Sequence, residues 1–159
     1  MKHDLFSKCI KIVIAETALI GVVSCAYLIP ELVRVFKNWY PELSYWVVPW
    51  LILIYACAVP CFGALVVSWM IAGNIGKDKS FTMDNANLFK IISIMALVTS
   101  IVFGTGSIVY TFMGMNHAGL LLIQFLIVFV GLAIFVCMAA MSYLVAKAAC
   151  LQEDSDLTI

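Results

Sequence analysis

The side chains able to do chemistry in this chain are few and scattered. Glu16 is the one carboxylate inside an apolar run, and an ionisable group at membrane depth is expensive enough to be read first as functional. It lies just over one helical turn in from Lys11. Three roles suit that position: snorkelling to the nearby interface, a register-setting hydrogen bond to Ser68 or Ser93, and proton or ion coupling. Six cysteines, Cys9, Cys25, Cys57, Cys61, Cys137 and Cys150, all avoid the outer loops, so no extracytoplasmic disulfide framework is expected. Cys57 and Cys61 share a helix face beside Pro60. With Met113, Met115 and His117 they outline a path of soft ligands for Cu(I), although cysteine and methionine are also good apolar fillers. His117 suits an interfacial residue in a tight turn better than a pH sensor. No Ser/His/Asp, Cys/His, zinc-spaced or phosphate-cradling pattern occurs in the sequence. No catalytic residue, metal site or cofactor is therefore expected, and the chain reads as a non-enzyme.

The elements that hold these residues are membrane helices. Of 159 residues, 65% are hydrophobic and 11% charged, against roughly half and a quarter in a soluble domain. The formal net charge of zero gives no reason to expect direct nucleic-acid binding. Four spans are expected in one membrane domain covering 1–159, at about 12–29, 46–72, 87–112 and 118–140. Pro30 should close the first, and Glu31 to Tyr45 should form a polar, aromatic loop. The apolar pattern of the last span runs on to about Leu151, too far for one crossing. Residues 141–159 then form a cytoplasmic helix extension and tail. The run Val22-Val23-Ser24-Cys25 resembles a lipoprotein processing box, but Glu16 within the apolar region and apolar sequence past Cys25 favour an uncleaved helix.

Orientation follows from the lysines. Lys2, Lys8, Lys11, Lys77, Lys79, Lys90 and Lys147 fall on one side, and only Arg34 and Lys37 on the other. The positive-inside rule places both termini and the central loop in the cytoplasm. Trp39, Tyr40, Tyr45, Trp46 and Trp50 gather on the other side, as an interfacial aromatic belt should.

Small residues recur every four positions in three spans: Thr17, Gly21 and Cys25; Ala56, Pro60, Ala64, Ser68 and Ala72; Ala96, Ser100 and Gly104. Lipid gives helices no hydrophobic reason to associate, so close approach through small residues does the work. These stripes read as the inward faces of an all-α, integral membrane four-helix bundle. Pro60 should kink the second span.

The longest polar interruption, Ala72 to Lys90, joins the second and third spans. Gly73 and Gly76 let the chain leave one helix. Thr82 reads as the N-cap of the next, with Asp84 in the first turn against the helix dipole and Asn85 three residues after the cap. The segment Phe81-Thr82-Met83-Asp84-Asn85, preceded by Gly76-Lys77, resembles the central motif of the YoaS-like bacterial membrane proteins, a Phe-Ser/Thr-x-Glu-Asn pattern after a Gly/Lys-rich turn. Asp84 stands where that pattern has Glu. The ending Asp156-Leu157-Thr158-Ile159 resembles the acidic ending of the same family. With the four-span layout, the resemblance covers nearly the whole chain. The family is of unknown function, and its members are often encoded beside a small helix-turn-helix transcription regulator. The resemblance thus implies a partner more than an activity.

The expected function is that of a sensor or anchor in the bacterial cell membrane, binding a small helix-turn-helix regulator at its cytoplasmic face. The residues expected to carry that contact are Met83, Asp84, Asn85, Phe89, Lys147, Leu151, Glu153, Asp154, Asp156, Leu157 and Ile159, with Leu144 beside them. Other expected partners are the lipid bilayer and a second copy of the chain. The alternative is an immunity or transport protein acting on a small hydrophobic molecule or peptide toxin. A transporter needs polar groups converging near the midplane, where this sequence offers only Thr99, Ser100 and the Pro60 kink.

Overall fold

In a bilayer every backbone donor and acceptor must be satisfied within the protein, and segments this apolar meet that requirement as helices. The computed structural model describes residues 2–116 and 118–156. They form α1 (Lys2–Val23), a π-helical turn (Ser24–Leu28), α2 (Ile29–Trp39), a 3-10 segment (Pro41–Trp46), α3 (Val47–Gly76), α4 (Met83–Phe112) and α5 (Ala118–Asp156). No strand occurs among the described residues. Four helical segments are long and apolar enough to cross a membrane: Leu5–Trp39, Ser44–Gly76, Met83–Phe112 and Ala118–Asp154. The protein is all-α with four such helices, as the sequence predicts.

The expected end of the first helix at Pro30 is not where it ends. Helix continues through Pro30 to Trp39, so much of the expected loop at 31–45 is helical. The π-helical turn explains how. There the Ile29 N–H donates to the Ser24 carbonyl, a wider ring than the α-helical one. In the same register the Cys25 carbonyl would receive the N–H of residue 30, which proline lacks. The Tyr55 hydroxyl of α3 donates to it instead, at 2.8 Å. A tertiary contact thus supplies the donor that the proline removes.

The spans pack in chain order: α1 against α3, α3 against α4, and α4 most extensively against α5. α4 is the most buried of them. Val67, Ile71 and Ile92 form a core cluster, with Ala64, Ile75, Leu88, Phe89 and Met138 packed around it. Besides Tyr55, three hydroxyls among the described residues tie helices together through backbone carbonyls. Ser7 donates to Ala72 O at 2.6 Å, Ser142 to Ala86 O at 2.8 Å, and Tyr110 to Pro49 O at 3.0 Å. Trp50 stacks edge-on against Tyr110, ring centroids 4.8 Å apart, and its indole N–H donates to Met115 O. Asn116 and Gln124 exchange side-chain amide hydrogen bonds at that same end.

Close approach through small residues is real for α4. Buried Ser100 lies directly against Gly131 of α5, where any Cβ would collide with its hydroxyl, and Gly104 faces Val128. Gly21 of α1 faces Phe62, and Ala72 is fully buried. Two members of the stripes are corrected: Ala56 and Thr17 are exposed. The Thr17 hydroxyl is spent on Val13 O of its own helix. α3 runs unbroken through Pro60.

Candidate functional site

The two ends of the molecule differ in chemistry. One carries the start of α1, the α3–α4 loop and the end of α5, and is termed the termini face below. There Lys11 Nζ lies 5.5 Å from the centroid of the Trp69 ring. The other carries α2, the 3-10 segment and the aromatic residues, and is termed the aromatic face.

On the termini face α3 ends in a tight reversal. The N–H groups of Lys77 and Lys79 donate to Asn74 O at 3.1 and 3.0 Å, and that of Asp78 to Ile75 O at 3.2 Å. Asp78 has φ 56°, a left-handed conformation that aspartate tolerates better than most non-glycine residues. Thr82 then caps α4 as expected, its side-chain oxygen accepting from the Asn85 N–H. Asp84 sits in the first turn, where a negative charge meets the positive end of the helix dipole.

Asn85 is what fastens this loop. It is only 1% exposed. Its Nδ2 donates to Lys79 O at 2.8 Å and to Ser80 O at 3.1 Å, and its Oδ1 accepts from Asn74 Nδ2 at 2.7 Å. The amide is fully used inside the protein, so Asn85 has no surface to offer a partner. Its expected role as a contact residue is corrected to that of a clasp. Phe89 is likewise corrected in part: it is half-buried and packs on the core cluster.

The clasped loop faces the end of α5. That helix is 39 residues long, about 58 Å at 1.5 Å per residue, against a hydrocarbon thickness of about 30 Å. Its last turns therefore project past the spans. A cleft of about 690 Å³ opens between them and the loop, lined among others by Lys79, Phe81, Met83, Cys150, Gln152 and Glu153. Met83 and Glu153, far apart in sequence, line this one cleft. Asp84, Leu144, Lys147, Leu151 and Asp154 are exposed at the same end. Leu157 and Ile159, and the side chain of Asp156, lie outside the described residues. The contact set expected from the sequence leaves out Asn74, Phe81, Ser142 and Cys150, although Phe81 opens the segment that carries the family resemblance. Asn74 could have been found as a polar side chain in the last turn before a loop; Cys150 carries no sequence signal.

The remaining candidates do not converge. Glu16 is exposed on α1. Ser68 and Ser93 donate instead to Ala64 O and Lys90 O of their own helices, so the expected register-setting bond is absent. Cys57 is buried and Cys61 exposed. Among the described residues no three His, Cys, Asp or Glu side chains cluster as a metal site; His117 lies outside them.

These features define a multi-pass, all-helical membrane protein. Residues 31–159 match the model of a family described as Protein of unknown function (DUF2975), and the chain belongs to that family. It is 26% identical to the uncharacterized membrane protein YoaS of Bacillus subtilis (strain 168) over 137 residues, covering 85% of this chain and 86% of that protein. No solved structure matches it.

Proposed function

We propose that the protein is a non-enzymatic membrane sensor or anchor whose termini face lies in the cytoplasm and docks a small helix-turn-helix transcription regulator. The observation that carries this reading is the cleft between the clasped loop and the projecting end of α5. Phe81 and Met83, 58% and 50% exposed, supply apolar anchors there. Asp78, Lys79 and Glu153 supply charge at the cleft, and Asp84, Lys147 and Asp154 are exposed at the same end. Apolar anchors with a polar rim are the usual anatomy of a protein contact. The acidic ending of the chain, with Asp156, Leu157 and Ile159, would extend that contact and compete with DNA phosphates for a regulator's basic surface. The lysine bias supports the cytoplasmic placement, and the YoaS-like resemblance supports the kind of partner.

A second reading, an immunity or transport protein, draws on a different feature. A groove of about 320 Å³ between α4 and α5 is lined by apolar residues with Ser107, Thr111 and Gln124 among them. A small hydrophobic molecule fits such a groove.

One experiment separates the two. Removing Gln152 to Ile159 takes away only the projecting last residues of α5, so insertion should be unchanged and helicity should fall only by those residues. Recovery of a small helix-turn-helix protein from native membranes should fall, and a photo-crosslinker on Cys150, kept as the sole cysteine, should capture that protein in the full-length chain. Equal recovery by truncated and full-length chains would overturn the docking reading and favour the α4–α5 groove.

A further inference from the structure

α2 differs from the spans in how its side chains are distributed. At the α-helical period, Ile29, Leu32, Val33, Val35, Phe36 and Trp39 fall on one side and Glu31, Arg34, Lys37 and Asn38 on the other. Its chief neighbours are the π-helical turn before it and the 3-10 segment after it, and it packs extensively against none of the spans. The apolar side is therefore bare: Leu32 is 65% and Trp39 75% exposed.

The depth of α2 follows from helix geometry. The hydrogen bond from Ser7 sets that residue level with Ala72, and the one received by Cys25 sets it level with Tyr55. From Ser7 to Cys25 the helix climbs about 27 Å at about 1.5 Å per residue, close to the whole hydrocarbon thickness of about 30 Å. A span that starts after Lys11 therefore ends about where α2 begins. Its charges, including the Arg34–Glu31 ion pair at 3.0 Å, are ones that hydrocarbon excludes. Its apolar side continues into the helix below through Leu28, which is 54% exposed, while Tyr27 lies in line with Glu31 and Arg34. Tyr40 and Tyr45, which follow α2 in the chain, are 53% and 64% exposed, and amphipathic aromatic rings favour the headgroup layer.

We infer that α2 is an interfacial helix, which rests its apolar side on the headgroup–acyl boundary of the phospholipid leaflet on the aromatic face and tilts away from α1 at the π-helical turn. The occupant of the bare side is lipid, because that side adjoins the lipid-facing surface and ends in aromatic residues of interfacial type. Arg34 and Lys37 lie on the opposite side, within reach of lipid phosphates. At the joint Pro30 removes one backbone donor, and a side chain from α3 replaces it. The assignment is independent of what docks on the termini face.

The test uses the full-length chain with its native cysteines replaced, carrying one nitroxide at Leu32, Phe36, Arg34 or Asn38. It is reconstituted in vesicles of equal parts phosphatidylcholine and phosphatidylglycerol. Collisions with oxygen, which concentrates in lipid, are compared with collisions with a water-soluble nickel chelate. Labels at Leu32 and Phe36 should favour oxygen and report depths about 5–10 Å into the boundary, while Arg34 and Asn38 should favour the chelate. A label at Val66, exposed on α3, should report lipid in every case and confirms insertion. Four α2 labels equally open to the chelate would mean a helix projecting into water. Four labels shielded from both reagents and broadened by one another would mean that a second copy covers this side. Either result overturns the inference.

Discussion

Two of the connections between the spans, α1–α3 and α3–α4, are held in opposite ways. The α3–α4 loop on the termini face is short, and a single buried amide, Asn85, satisfies two of its carbonyls while accepting from Asn74. The α1–α3 connection on the aromatic face is long and mostly helical. It makes one side-chain bond to a neighbouring span, from Tyr55 to Cys25 O, among those described. The first is organised from inside the protein. The second leaves an apolar helix side for its surroundings to cover. A loop that must present a constant surface benefits from the first arrangement, and an element that must respond to the bilayer benefits from the second.

Replacing Asn85 with Leu should break this contrast most severely. It leaves the Ser80 carbonyl and the Asn74 amide without this partner in a part-buried place, at about 1–3 kcal/mol for such an unsatisfied group, while Lys79 O keeps the bond from the Thr82 hydroxyl at 3.3 Å. Thermal unfolding in detergent should shift down by a corresponding amount, and trypsin should cut faster at Lys77 and Lys79 while cleavage at Arg34 and Lys37 is unchanged. Unaltered loop cleavage would deny Asn85 the role of clasp.

Tyr55→Phe should have a smaller effect, about 1 kcal/mol for one hydrogen bond, read as faster amide exchange across the π-helical turn and α2. The argument for that bond can be sharpened by a double-mutant cycle. In a Pro30→Ala background the restored backbone N–H gives the helix its own donor, so Tyr55→Phe should become nearly neutral. An equal cost in both backgrounds would show that the tyrosine does not stand in for the missing proline N–H.

Smallest of all is Arg34→Ala. The pair with Glu31 is an i,i+3 contact between side chains 74% and 50% exposed, and such pairs contribute about 0–1 kcal/mol. Stability should barely move, whereas binding of α2 to anionic vesicles should weaken and become less salt-sensitive.

The features legible before folding were those set by composition and by neighbours in sequence. Four runs of apolar residues had to become four bilayer-length helices, because lipid offers the backbone no other partner. Thr82 had to cap α4, since its oxygen reaches a donor three residues away. The lysines and the aromatic residues had already sorted to opposite ends of the chain's layout. None of this needs a contact between distant segments.

What the tertiary structure decided depends on such contacts. Sequence spacing places Thr17 and Gly21 on one helix face, but only the packing of Phe62 shows that Gly21 turns inward while Thr17 does not. Asn85 reads locally as a surface residue near a cap. Asn74, on the preceding helix, and the folded-back carbonyls of Lys79 and Ser80 make it a buried clasp. Pro30 reads locally as a stop, because a proline lacks a donor. The helix passes through it since Tyr55, on another span, supplies a hydrogen bond that no neighbour in sequence can reach.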